Sequence, residues 1–439
     1  MTRRVVITGM GCVTPLGGTP AALWQGLTEG RSAVRPLSLF DASRFPVRIA
    51  AEIHDWSIAD VGENPQQWEH APRQTQFAVG AGLQAARQAG LPNVQIDPVR
   101  FGVYLGCGEA FEDFTLFMQS ICGASVDGQF QPEQFDQTAL RIFHPETEQE
   151  YIPNTPASHL SALLNAQGPN ANCISACVSS AQAIGESARL IRRGQADVML
   201  AGGAHSTINE FGLTGFHRLS ALSTRNDDPA SAVRPFDRHR DGFVMGEGAG
   251  LFVLEELEHA KKRGAEIIAE ITGYGSTQDA YRITDSHPEG RGIINAMQSA
   301  LQSARLNSDE ICYINAHGTG TIMNDRTETL AIKNVFGETA YSIPVSSTKS
   351  MMGHATTASG ALEFAVCLLS LQHQIAPPTI NYSTPDPDCD LDYVPNIARD
   401  ISNQHVMSNS IGFGGQNAVL ILSRFDESSS SVIPLRRAS

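Results

Sequence analysis

The feature that most constrains this chain is that its pattern of strands and turns runs through twice. Short β-branched runs that close on glycine or another small residue recur at residues 4–11 (RVVITGMG), 101–108 (FGVYLGCG), 197–204 (DVMLAGGA), 267–275 (IIAEITGYG) and 311–320 (ICYINAHGTG). Helical stretches separate them, and this alternation predicts an α/β fold. RVVITGMG answers to IIAEITGYG and FGVYLGCG to ICYINAHGTG, so one α/β unit is duplicated. The match continues further along. Ile174-Ser175-Ala176-Cys177 leads into a helix with apolar residues at Ala181, Ile184, Ala188 and Ile191. Ser350-Met351-Met352-Gly353-His354 leads into another with Ala358, Ala361, Ala365 and Leu368. Both spacings place one face on a core. Cys177 and His354 therefore occupy equivalent strand-to-helix turns, and packing about a pseudo-twofold axis would bring them together. The division falls near Arg263-Gly264, giving halves 1–263 and 264–425. Residues 426–439, with their run of serines, read as a disordered tail. Residues 109–157 interrupt the repeat and carry Phe111, Phe114, Phe117, Phe130, Phe135 and Phe143 among polar residues. A structureless loop of that length is disfavoured. Short helices packed over a cleft or against a partner subunit are expected.

Charge and cysteine usage exclude several classes. With 31 Lys and Arg against 46 Asp and Glu, the net charge is −15, unsuited to broad nucleic-acid binding. No apolar run approaches the roughly 20 residues that would span a bilayer. The run Val5-Val6-Ile7 is too short for a secretory signal. These features read as a cytoplasmic protein. The eight cysteines contain no Cys-x-x-Cys pair, against a zinc ribbon or a thioredoxin-like motif. Three G-x-G elements follow strands at Gly9, Gly106 and Gly273. The third glycine of a dinucleotide fingerprint is replaced by Thr14, Phe111 and Gln278. They are read as tight turns. No phosphate-binding loop and no Gly-x-Ser-x-Gly elbow is present, and neither a nucleotide nor a metal is expected.

Cys177 carries the chemistry. The start of a helix favours thiolate through free N–H groups and the helix dipole, and the small neighbours Ala176, Val178, Ser179 and Ser180 leave the sulfur accessible. A second group, His317, ends a strand in Asn315-Ala316-His317-Gly318-Thr319-Gly320-Thr321, where parallel α/β sheets bind ligands. His354 is the third. One cysteine and two histidines at three strand ends suit a cysteine nucleophile better than a metal site.

These residues resemble the β-ketoacyl-acyl-carrier-protein synthases, in particular the elongating type II enzymes of the thiolase superfamily. The resemblance runs from Arg4 to about Phe425. It is densest at 175–180, 221–250 (ALSTRNDDP…RPFDRHRDGFVMGEGAG), 315–328, 346–354 and 408–417 (SNSIGFGGQN). It implies a thiolase-like fold, two duplicated α/β halves in a layered αβαβα body, built as a homodimer. It also implies decarboxylative Claisen condensation. Cys177 would carry the acyl group; His317 and His354 would promote loss of carbon dioxide from a malonyl donor and stabilise the enolate. Lys349 would stand near the second histidine with Glu363 as ion-pair partner, and Asp325 and Glu328 would organise the site. Backbone donors at Cys177 and Phe413 would hold the oxyanion, with Phe413 gating the nucleophile and Gly414 beside it letting the loop move. Thr319, Thr321, Thr284 and Phe216 would meet the malonyl carboxylate or the pantetheine arm. No cofactor is implied, because substrates ride on the phosphopantetheine of an acyl-carrier protein. A heterodimer with a chain-length partner stays open, as does an inactive or acyl-binding subunit of such a pair. Three departures point to a dedicated synthase of a specialised lipid or polyketide pathway. Gln416 stands for the usual threonine, and Ala355-Thr356-Thr357 for a glycine-rich stretch. Of the usual basic docking residues only Arg73 remains, and another such position is Ser220.

Overall fold

The computed structural model describes residues 3–108, 114–402 and 404–427. Its main sheet holds ten strands, labelled in chain order: β1 Val5–Val13, β2 Phe101–Leu105, β3 Asn170–Asn172, β4 Val198–His205, β5 Gly248–Glu256, β6 Ala269–Gln278, β7 Ile311–Asn315, β8 Val345–Ser346, β9 His405–Gly412 and β10 Gln416–Ser423. They lie in the order β8-β7-β9-β10-β6-β1-β5-β4-β2-β3. Read outward from the centre, β1-β5-β4-β2-β3 is matched by β6-β10-β9-β7-β8, so the duplicated unit is visible as a mirror in the strand order. The halves join through the antiparallel pairs Val6–Glu270 and Ile7–Ala269.

Three pairs of helices repeat the same symmetry: α1 Arg73–Gln88 with α4 Arg291–Ala304, α2 Thr155–Leu164 with α5 Ile322–Phe336, and α3 Ser179–Arg192 with α6 Ser359–His373. α1 and α2 cover one outer face, α4 and α5 the other. α3 and α6 are packed between the two halves and touch strands of both. The result is an αβαβα body. The sequence of α6, SGALEFAVCLLSLQH, is apolar on nearly every face, as a helix in a central layer must be, and it is buried from Ser359 to Leu371. That burial drags its one carboxylate, Glu363, into the interior. β1, β4 and β5 are buried along their whole length, since helices cover both of their faces.

Two of the G-x-G elements are not the tight turns the sequence suggested. A Cβ on Gly11 would lie 2.0 Å from the carbonyl of Ala81 in α1, and one on Gly275 would lie 2.0 Å from that of Ala296 in α4. Gly9 and Gly273 stand in the same relation to Ala85 and Ala300. The glycines sit inside β1 and β6, where a helix backbone comes down on the strand. Gly11→Ala is therefore expected to lower stability by about 1–3 kcal/mol, read from urea denaturation midpoints. An unchanged midpoint would show that α1 shifts freely.

The interruption of the repeat forms short helices at Phe114–Gly123, Pro132–Ile142 and Pro145–Glu150. Phe111 lies outside the described residues, and so does nearly all of the segment 426–439. The arm is sparsely buried: Leu140 is 85% exposed, Ile152 54% and Phe130 50%.

Candidate active site

Cys177 sits two residues before α3, not within its first turn. The preceding Ala176 has φ 51°, a left-handed conformation that costs energy for a residue with a Cβ. Ser179 holds this bend: its Oγ accepts from the Ser175 N–H at 2.8 Å and donates to the Ala176 carbonyl at 2.7 Å. The equivalent turn of the second half, between β8 and α6, supplies His354. Its Nε2 lies 3.2 Å from Cys177 Sγ. His317 follows the end of β7, and its ring centroid is 5.3 Å from that of His354 with the planes 83° apart. The Phe243 ring stands nearly perpendicular to that of His354, with centroids 5.0 Å apart.

Backbone carboxylate contacts fix the His317 turn. Glu328, from α5, accepts from the N–H groups of His317 at 2.9 Å and Gly318 at 2.8 Å, and from Asn409 Nδ2 at 3.1 Å. Asp325 accepts from the N–H of Phe236 at 2.8 Å and of Gly320 at 3.2 Å, with Arg240 at 3.6 Å. Both carboxylates are fully buried, and their bonding is spent on holding the backbone. Lys349 Nζ donates to Glu363 and, at 2.6 Å, to the His317 carbonyl, and stands 3.3 Å from His317 Nδ1. An ammonium can only donate, so Nδ1 accepts and the ring proton of His317 rests on Nε2.

Burial governs the ionisation here. It holds both histidines well below their ordinary range, reinforced by the Lys349 charge. It pushes the Glu363 carboxyl up to about 7 against the pull of Lys349. At Cys177 burial opposes the thiolate that a helix start favours. Burial pushes that thiol up to about 11, although Lys349 and the N–H groups of Phe413 and Cys177 pull the other way. The second half of the chain, folded over the sulfur, outweighs the local dipole.

A cleft leads to the sulfur. Cys177, His317 and His354 line it together with Phe216, Thr284, Thr319, Thr321 and Phe413. Thr319 and Thr321 are joined through their hydroxyls at 2.9 Å. Gly414 lies just beyond the lining. Its φ is 82°, its N–H donates to the Ile283 carbonyl and its own carbonyl accepts from Gln278 Nε2, both at 2.5 Å. Sequence reasoning missed Phe243, Asn324 and Ile411 as lining residues. All three lie inside motif-rich stretches, Phe243 in 221–250, Asn324 in 315–328 and Ile411 in 408–417, where a signal was available. No lining residue of the cleft comes from 114–157. Arg73 donates to Glu247 and, at 2.9 Å, to the Ile53 carbonyl, and its side chain stays 40% exposed. The ligand atoms of Cys177, His317 and His354 lie within 4.8 Å of one another, close enough for one soft metal ion. Beside Lys349, the same set equally suits a thiol facing two imidazole donors.

A cysteine and two histidines delivered to one cleft by the turns of a duplicated αβαβα body define a thiolase-like condensing enzyme. The chain belongs to the β-ketoacyl synthase family: residues 2–260 match its N-terminal domain and 268–383 its C-terminal domain. It is 42% identical to 3-oxoacyl-[acyl-carrier-protein] synthase 2 of Coxiella burnetii, covering 96% of this chain and 99% of that protein. It is 40% identical to the tetracenomycin polyketide synthase ketoacyl synthase alpha subunit of Streptomyces glaucescens, covering 98% and 99%. Among solved structures, a type II polyketide ketosynthase in complex with its acyl-carrier protein and bound to a hexaketide superimposes with a TM-score of 0.86. That match has 32% identity and covers 97% of this chain and all of that one. No helix among the described residues is long and apolar enough to cross a membrane.

Proposed function

We propose that this chain elongates acyl groups by decarboxylative Claisen condensation. The Cys177 thiol attacks an acyl-carrier thioester; the acyl–sulfur bond forms, and the carrier's pantetheine thiol leaves with the proton. A malonyl-carrier thioester then loses carbon dioxide. The electron pair left behind becomes an enolate, whose oxygen is held by Nε2–H of His317 and His354. The enolate carbon attacks the acyl-Cys177 carbonyl, the N–H groups of Cys177 and Phe413 hold the oxyanion, and Cys177 sulfur is expelled to leave a 3-oxoacyl-carrier. The observation that carries this reading is one sulfur 3.2 Å from His354 Nε2, beneath a second neutral imidazole.

Thr284, Thr319, Thr321 and Phe216, from their place in the lining, are assigned to the pantetheine arm, and Phe413 to gating the sulfur. We read 1–263 and 264–425 as the two halves, the protein as cytoplasmic and the partner as an acyl-carrier protein. A homodimer is supported by the exposed apolar residues of the arm. A heterodimer is the second reading, favoured by relatives solved as ketosynthase with chain length factor. The departures at Gln416 and Ala355-Thr356-Thr357 support a specialised pathway.

Incubation of the wild type with acyl- and malonyl-carriers should release carbon dioxide and a 3-oxoacyl-carrier, detected by intact mass. Because both imidazoles are held below their usual range, they stay neutral as pH falls through 6.5. The rate of malonyl decarboxylation should show no acid limb between pH 8 and 6. A rate that halves near 6.5 would contradict the neutral pair, and no condensation with any carrier would sink the reading itself.

A further inference from the structure

Each imidazole of the site needs its proton on Nε2, facing the sulfur and the incoming thioester. For His317 the ammonium of Lys349 settles this. For His354, Nδ1 meets one hydrogen-bond partner among the described residues, the Ser359 hydroxyl, at 2.8 Å. Both side chains are buried, His354 2% and Ser359 3% exposed. Among the described residues Ser359 Oγ has no other hydrogen-bond partner.

We infer that Ser359 is a positioning residue that fixes the tautomer of His354 by donating its hydroxyl proton to Nδ1. The argument is one of satisfaction. If the hydroxyl donates, its hydrogen is paired, Nδ1 is an acceptor, and the imidazole proton sits on Nε2. If instead Nδ1–H donated to Ser359, the serine hydrogen would be left buried with no acceptor, an arrangement that costs about 1–3 kcal/mol. Nε2 would then present only a lone pair and could not hold an enolate oxygen. Protonating both nitrogens orphans the same hydrogen, in line with the depressed ionisation of His354. Ser359 is the first residue of α6, so its Cα is set by the rigid central layer, and the ring of His354 is braced from another side by Phe243. The two histidines thus carry matched tautomers, set by different donors: an ammonium for one, a hydroxyl for the other.

This inference rests on the condensing reading for its kinetic consequence but not for its spectroscopic one. In wild type carrying ¹⁵N-histidine, assigned with a His354→Gln variant, the His354 Nε2 signal should be of the protonated type and Nδ1 of the unprotonated type. In Ser359→Ala the two signals should move toward each other as tautomers mix. Ser359→Thr, which keeps the hydroxyl, should restore the wild-type pattern. In kinetics, Ser359→Ala should lower kcat for malonyl decarboxylation about 10- to 100-fold, with KM for the malonyl-carrier unchanged. Acyl loading onto Cys177 should stay within about twofold, and Ser359→Thr should recover decarboxylation to within about threefold. A wild-type His354 protonated on Nδ1 would overturn the inference, as would equal decarboxylation by wild type and Ser359→Ala, or equal damage from alanine and threonine. If the wild type neither loads nor condenses, the condensing reading fails, while the nitrogen signals still decide the tautomer.

Discussion

Cys177→Ala is expected to form no acyl adduct with any acyl-carrier and to lower condensation by about 10⁴-fold or more, while keeping the ability to decarboxylate a malonyl-carrier. The split follows from the geometry. The sulfur is needed only to hold the electrophile, and the enolate is stabilised by His317 and His354, whose supports come from Lys349, Glu328 and Ser359. None of these depends on the cysteine. Removing one sulfur from a small buried side chain leaves the turn pinned by Ser179, so the circular dichroism spectrum should not change. Intact-mass spectrometry reads the adduct, and release of labelled carbon dioxide reads the decarboxylation. An adduct on the alanine variant would move the nucleophile elsewhere. Loss of both activities together would mean that the thiol takes part in breaking the carboxylate bond.

The second large effect is on stability. Lys349 and Glu363 form an ion pair with side chains 3% and 2% exposed, and Glu363 Oε2 already has no partner among the described residues. Lys349→Met strands that carboxylate in the central layer, and removing one member of a buried pair costs about 3–5 kcal/mol. The sign with pH can be fixed. Glu363 has its folded value raised to about 7, so the native state keeps a proton that the unfolded chain gives up above its ordinary value near 4.5. Stability therefore falls as pH rises through that window, and without Lys349 the fall is larger. Urea midpoints should show the variant further below wild type at pH 8 than at pH 5. Adding Glu363→Gln should restore most of the stability but not the condensation, since His317 Nδ1 still lacks its donor. A single variant as stable as wild type at pH 8 would mean that the pair carries no net load.

Much of this frame was legible because the duplicated unit announces itself in short runs of β-branched residues, and equivalent turns in a repeat must meet if its halves face each other. That logic alone set Cys177 opposite His354. What local pattern could not supply was the identity of the neighbours. Gly9, Gly11, Gly273 and Gly275 were read as turns because nothing near them in sequence reveals a helix descending 70 residues on or 25 residues on. The burial of the thiol was hidden for the same reason: its first-half environment favours charge, and the residues that bury it are 140 to 240 positions away. Phe243 and Ser359 are ordinary residues whose roles come from one contact each with His354. Such contacts are set by tertiary packing and leave no periodic trace.

The central layer has a consequence for how the protein is made. A ribosome delivers β1 to β5 and α3 well before α6, so the apolar side of α3 emerges without its cover, and the thiol at its start is open to solvent and oxidants. Only when α6 slides into place does the interior close, and that same movement brings His354 to the sulfur. Protection of the thiol and completion of the catalytic set are thus one event. A chain stalled after its first half would be both adhesive to chaperones and unable to condense.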